Sequence, residues 1–240
     1  MSAKKEFLTA LIIPLIFVFV LLIIHSYTEI NQIKVSDWGI YPREINGLWG
    51  ILSSVFIHGS WKHLANNTIA LLLLGTSIFY FYKKLAIPVA IYSIIFTGIL
   101  VWLGGRPSFH IGASGLVYAL ASFLFFSGFI RKHNNLMALS MTVVFLYGGL
   151  VWGIFPTKEH ISWEGHLFGA INGVIWAIYF KEKGPQRQKY SWEIEEEILK
   201  NLDGIEINYE IVNGEEKNES ITEISYEYKK NIEENRKAPS

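Results

Sequence analysis

Apolar residues in this chain gather into runs of 17–21 positions, and the breaks between them are short, basic or rich in glycine. A bilayer core of about 30 Å is crossed by roughly 20 helical residues, so each run predicts a membrane helix. The runs cover residues 8–24, 61–81, 85–103, 112–130, 136–154 and 164–180. Lys83-Lys84 ends the second, Gly104-Gly105-Arg106-Pro107 turns the chain after the third, and a polar stretch from Arg131 to Asn135 separates the fourth from the fifth. Pro88 falls in the first turn of the third, where its missing amide removes no helical hydrogen bond. The first run follows Lys4 and Lys5, as a signal peptide's would. It exceeds a signal core of roughly 7–15 residues, and no small-x-small cleavage site follows it, so it is expected to remain as a helix. Residues 27–46 are too polar to cross lipid. Residues 48–58 are apolar but too short to span, which predicts a half-embedded loop, and irregular backbone at that depth has to be buried by other protein.

Composition and charge sharpen this picture. Hydrophobic residues make up 51% of the chain, which fits a polytopic membrane protein, and the absence of cysteine excludes disulfides and thiolate chemistry. The formal net charge of zero conceals a segregation. Lys4, Lys5, Lys83, Lys84, Arg131, Lys132 and the cluster Lys181, Lys183, Arg187 and Lys189 share one side of a six-span bundle; Lys34, Arg43, Lys62, Arg106 and Lys158 fall on the other. Basic loops mark the cytoplasmic side. Both termini are therefore expected in the cytoplasm, and the second, fourth and sixth spans begin at the outer face. Without an Arg- and Ser-rich transit segment, a bacterial cytoplasmic (inner) membrane is the expected location. Tryptophans 49, 61, 102, 152 and 163 suit an outer interfacial belt.

The expected fold is all-α: a six-span membrane domain over residues 1–181, with an acidic cytoplasmic tail over 182–240. Within the tail, Trp192, Ile194, Ile198, Leu199 and Leu202 fit a short amphipathic helix. Ile205, Ile207, Tyr209 and Ile211 alternate as in a strand before the turn signal Asn213-Gly214. A small helix-plus-hairpin element and a partly disordered solvated segment both fit this composition.

Polar groups inside a bilayer mark function or close helix packing. Three spans carry them near their starts, and all three start at the same face. The second has His63 and Asn67, four residues apart and so on one helix side. The fourth has Ser114, flanked by Gly112 and Gly115, and the sixth has His166. Serine becomes a nucleophile when a base takes its proton, and histidine is the usual base. Donors for a developing oxyanion are available in the Ser114 amide near a helix N-terminus, the Asn67 amide and the His63 ring. Glu164 is two residues from His166 and does not share its helix face, so a Ser–His dyad is the economical arrangement. Gly165, Gly169 and Gly173 on the sixth span, with Gly115, Ala119 and Ser122 on the fourth, form small-residue strips that let two helices approach closely. Tyr118, one turn after Ser114, can stack on the imidazole. His58, His110 and His160 sit in or beside outer loops and are read as loop residues.

Taken together, Gly112-Ala113-Ser114-Gly115, the His63-Leu64-Ala65-Asn66-Asn67 stretch, and His166 followed by Gly169 and Gly173 resemble the motifs of the rhomboid intramembrane serine proteases, in the same order and spans. The resemblance covers roughly residues 8–181. It implies Ser114 as nucleophile, His166 as general base with Tyr118 stacked on it, and His63, Asn67 and the Ser114 amide as an oxyanion hole, with Gly112 in support. It further implies a serine endopeptidase that cuts transmembrane protein substrates near the outer end of their spans, with the fifth span moving aside to admit them. No cofactor, metal or nucleic-acid partner is expected besides the lipid bilayer, and the oligomeric state is left open. One departure stands out: many members carry Trp-Arg in the first loop where this chain has Trp49-Gly50. Three rivals fit less well. A catalytically inactive rhomboid-like protein binding membrane clients would typically lose the serine or the histidine. A metalloprotease would need a His-Glu-x-x-His helix, and a transporter would show repeats or broken helices.

Overall fold

The computed structural model describes residues 2–156, 161–202, 211–212 and 215–216. His160, Lys158 and the tail positions 205–210 lie outside the described residues. Two compact units form, Met1–Gln188 and Lys189–Ser240. The first is a helical bundle whose membrane-length elements follow the apolar runs: α1 (Ala3–Ile30), α3 (Trp61–Phe81), α4 (Ala86–Gly104), α5 (Ser114–Arg131), α6 (Asn134–Tyr147) and α7 (Trp163–Tyr179), with the short α2 (Gly50–Ser53) in the first loop. Among the described residues five helices are long and apolar enough to cross a membrane, counting α6 with its continuation to Ile154. The sixth, α7, has 17 residues, at about 1.5 Å each the lower end of what crosses a hydrocarbon core. The chain is an integral membrane protein.

Helix α5 is the axis of the bundle. Over its most apolar stretch 56% of the residues are buried, against 22% for α1, because α5 packs against α3, α4, α6 and α7. The seam with α7 is the closest. A Cβ on Gly169 would strike the Gly115 carbonyl, and one on Gly173 would strike the Ala119 carbonyl and the Ser122 side chain. Ser122 Oγ then donates to the Ala170 carbonyl across the seam at 2.8 Å. The two small-residue strips thus meet face to face, as side chains without bulk allow. Elsewhere, Pro14 of α1 packs on Gly75 of α3.

The end of the bundle remote from Ser114 is closed by Arg131. Buried at the end of α5, it donates to Ser127 Oγ at 2.9 Å and to the carbonyls of Phe180, Lys181 and Pro185, beyond the C-terminus of α7. These carbonyls have no intrahelical donors of their own.

The first loop is held by backbone packing and by side-chain bonds to backbone carbonyls, including Arg43 Nη1 to the Leu103 carbonyl at 3.4 Å. Gly50 lies directly on the backbone of Gly39 and Ile40, and Gly98 of α4 lies under Ile51. Ile40 pairs with His110 as an isolated antiparallel bridge, Trp102 Nε1 donates to the Glu44 carbonyl at 2.9 Å, and Ser53 Oγ donates to the Trp38 carbonyl at 2.6 Å. That packing accounts for Trp49-Gly50: an arginine at position 50 would collide with residues 39–40.

Two boundaries differ from the sequence expectation. Helix α1 is longer at both ends, running to Ile30, and α6 leaves α geometry at Tyr147 and continues as a 3-10 segment, Gly148–Ile154. Adjacent Gly148 and Gly149 favour the change, since glycine is a poor helix former. The second unit contains α8 (Ser191–Leu202) and a two-residue antiparallel pair, β1 (Ile211–Val212) with β2 (Glu215–Glu216); the turn expected at Asn213-Gly214 lies outside the described residues.

Candidate active site

Three helices and one loop bring their polar groups together at one end of the bundle. Ser114 is the first residue of α5, so its backbone N–H has no intrahelical acceptor. Its Oγ lies 2.9 Å from His166 Nε2. The opposite ring nitrogen, Nδ1, lies 2.9 Å from the Gly153 carbonyl. A carbonyl only accepts, so Nδ1 carries the proton and Nε2 offers its lone pair to the serine hydroxyl. Tyr118 stacks on the imidazole with ring centroids 4.2 Å apart and planes within 7°, and its hydroxyl donates to the Leu150 carbonyl at 2.8 Å. The histidine is therefore fixed in rotation by the stack and in tautomer by the carbonyl.

The approach to Ser114 is shaped by Gly112. Its φ of +109° is one that L side chains rarely adopt, and its amide donates to the Ser54 carbonyl at 2.9 Å. A Cβ there would meet His63 Cε1 at 2.5 Å and Asn67 Nδ2 at 3.6 Å. His63 and Asn67, one turn apart on α3, thus both converge on the residue two positions before the serine. The sequence-predicted residues Ser114, His166, Tyr118, Gly112, His63 and Asn67 all lie in this one cluster.

The structure adds His58, which from the sequence is expected only as a loop residue. Its Nε2 receives the Asn67 Nδ2 amide at 3.0 Å and the Ala113 N–H at 3.4 Å, tying the loop, α3 and the start of α5 at one atom. Burial, with the nearby His63 charge second, pushes the His58 imidazole down to about 3, which keeps it a neutral acceptor. Its spacing from His63, five residues, corresponds to no helical face, so periodicity gives no signal for it.

His110, likewise expected as a loop residue, bridges the loop before α5 to the loop before α7. Ser162 Oγ lies 2.6 Å from Nδ1, and Nε2 donates to the Arg106 carbonyl at 3.1 Å. Burial holds this imidazole below its ordinary range. Beside it, the carboxylate of Glu164, 3% exposed, pairs with Arg106 at 3.5 Å and accepts the Arg106 amide at 3.3 Å. Glu164 is thus engaged by Arg106, and together these contacts fix the first turn of α7. Between the loops and Ser114 lies a small cavity of about 50 Å³, lined by Ser54, Thr97, His110, Gly112, Ser114 and Ser162 among others, wide enough for a water molecule.

Comparison with known proteins points the same way as the motifs. The family model described as "Rhomboid domain" matches residues 46–183. An uncharacterized protein of Mycobacterium tuberculosis and one of Mycobacterium bovis are each 34% identical over 184 residues, covering 72% of this chain and 75% of theirs. An uncharacterized protein of Mycobacterium leprae is 34% identical over the same length, covering 72% of each.

Proposed function

The chain belongs to the rhomboid family, and on that premise we propose that it is an intramembrane serine endopeptidase acting on transmembrane protein substrates. The observation that carries this reading is the 2.9 Å contact between Ser114 Oγ and a His166 Nε2 left free to accept by its bond to Gly153. Nucleophile, base and orienter stand in the order that activated serine requires.

The steps follow from the positions. Ser114 Oγ attacks the scissile carbonyl carbon while its proton passes to His166 Nε2. Negative charge gathers on the carbonyl oxygen, and the Ser114 N–H, the Asn67 amide and the His63 ring are the donors able to stabilise it. Because Asn67 is bonded to His58 at rest, one of its two N–H groups remains available. The imidazolium returns its proton to the leaving amine, giving an acyl-enzyme. Water, with His166 again as base, adds to the ester carbonyl and releases the acid.

In the same reading residues 1–181 are the protease domain, and the basic side of the bundle with both termini is cytoplasmic. The site then opens toward the outer face of a bacterial inner membrane. A scissile segment has to expose its backbone, so the substrates are spans with a weakly helical stretch near their outer end.

The test is cleavage of a single-span substrate by purified protein, with wild type, Ser114→Ala and His166→Ala compared. Either substitution is expected to lower cleavage by at least about 10³-fold, the scale seen when a triad-type residue is lost. A serine-directed fluorophosphonate probe should label wild type and neither variant. Cleavage that persists in both variants, or absence of any Ser114 labelling in folded wild type, would overturn the assignment.

A further inference from the structure

We infer that the basic end of the bundle carries a binding site for an anionic phospholipid, in the cavity between the start of α4 and the end of α7. This cavity lies at the end remote from Ser114, and the inference stands without the protease reading.

The cavity has a volume of about 420 Å³ and is lined by Lys84 and Lys183, by Tyr92, Tyr179 and Phe180, and by Pro88 among others. That volume falls within the roughly 300–1,000 Å³ of small-molecule sites, whereas the cavity beside Ser114 holds about 50 Å³.

Charge at this cavity is unbalanced. Nearby, Lys83 pairs with Glu6 at 3.0 Å and Lys181 with Glu182 at 4.0 Å. Neither Lys84 nor Lys183 has a carboxylate partner among the described residues, and no carboxylate lines the cavity. Lys183 Nζ lies 5.7 Å from the centre of the Tyr179 ring and 5.9 Å from that of Phe180. Aromatic faces thus hold the ammonium in place without neutralising it. The first turn of α4 adds the positive end of a helix dipole. The hydroxyls of Tyr92 and Tyr179, both exposed, have no hydrogen-bond partner among the described residues and are available to phosphate oxygens.

The surroundings favour a lipid over a soluble anion. Trp176 packs on Tyr92 and Phe180, with ring centroids 5.3 and 6.1 Å away, as an aromatic floor. One turn deeper along the spans, Ile91 on α4 and Ile175 on α7 are exposed. A ligand here meets ammonium groups at the membrane boundary and apolar surface below them, the profile of a phosphate headgroup with its acyl chains. Basic pockets between spans take anionic headgroups for this reason. The Phe180 carbonyl is also held by Arg131, so a lipid in the cavity joins α4 to the end of α7 that Arg131 fastens to α5.

The experiment uses the full chain in uncharged detergent micelles with about 0.15 M ammonium acetate, where long-range surface attraction is screened. Phosphatidylglycerol and phosphatidylcholine are titrated separately, and bound lipid is counted by native mass spectrometry. One phosphatidylglycerol is expected to bind in preference to phosphatidylcholine. Lys84→Gln with Lys183→Gln should weaken it by about 25-fold, on the order of fivefold for each lysine, and leave phosphatidylcholine unchanged. Lys84→Arg with Lys183→Arg should retain it. Lys4→Gln with Lys5→Gln removes the same charge from the same end, outside the cavity, and should stay within about twofold of wild type. Equal weakening by the two glutamine pairs would reduce the effect to surface charge and overturn the inference, as would equal affinity of wild type for the two lipids. Displacement of phosphatidylglycerol by millimolar inorganic phosphate would overturn it too, by giving the cavity to a soluble anion.

Discussion

Gly112 and His58 govern the approach to the serine, each by a different physical constraint. At Gly112 the constraint is steric: φ is +109°, and any Cβ would meet the His63 ring. Gly112→Ala is therefore expected to lower kcat/KM by about 10- to 100-fold, the equivalent of 1–3 kcal/mol of backbone strain or displaced donors, measurable on a single-span substrate. At His58 the constraint is protonation. The imidazole is held down to about 3 by burial, so folding favours the neutral form. Its contribution is complete above the unfolded value near 6.5 and falls away as pH drops toward about 3. Thermal unfolding in detergent should show a midpoint that declines from pH 7 to pH 4, and less steeply in His58→Asn. An unchanged slope would mean that other groups carry the acid sensitivity. The proposed Ser114–His166 pair was legible as a candidate, because polar groups on three spans fall at the same face and similar depth. His58 was not, since its role depends on a loop folding back onto α3, and the Gly153 carbonyl was not, since every residue has one.

Among the elements, the α5–α7 seam brings the proposed dyad together. Ser114 and His166 are 52 residues apart, and they meet because Gly169 and Gly173 let α7 rest on the carbonyls of Gly115 and Ala119. Inserting volume here forces the helices apart. Gly173→Val should lower stability by roughly 1–3 kcal/mol, as overpacking does, and should reduce Ser114 labelling although the change lies two turns from His166. Denaturation in mixed micelles beside probe labelling tests both effects; wild-type labelling in a destabilised variant would show that the seam sets stability without setting the dyad. The small-residue strips were visible in the sequence, including which two spans they would join. The change of α6 to 3-10 geometry was not, since residues 136–154 are apolar throughout and hydropathy does not distinguish one helix type from another.

Across the whole molecule, the bundle is pinned at opposite ends by different means. Near the site, backbone pairing of Ile40 with His110 and the Arg106–Glu164 pair tie the loops together. At the far end, Arg131 gathers three carbonyls beyond α7. Arg131→Met keeps the volume but removes the charged donor those carbonyls share; the Phe180 carbonyl keeps the Lys183 N–H and the Lys181 carbonyl keeps Gln186 Nε2. The substitution is expected to cost about 2–4 kcal/mol, in line with several charge-assisted hydrogen bonds partly replaced by water. An unfolding midpoint equal to wild type would show that Lys183, Gln186 and water satisfy those carbonyls without the guanidinium.

The sequence by itself determined the spans, the all-α class and the family, and it nominated the residues proposed for the chemistry. Hydropathy and residue type are local properties, and a polar group in an apolar run is too costly in lipid to persist without a role. Tertiary structure decided what depends on proximity alone: the loop histidine bonded to Asn67, the glycine at position 50 packed on the backbone of residues 39–40, and the carbonyl that orients His166. Those interactions run through backbone atoms and close contacts, which leave no mark on residue type or period. They exist only once the chain has folded back on itself.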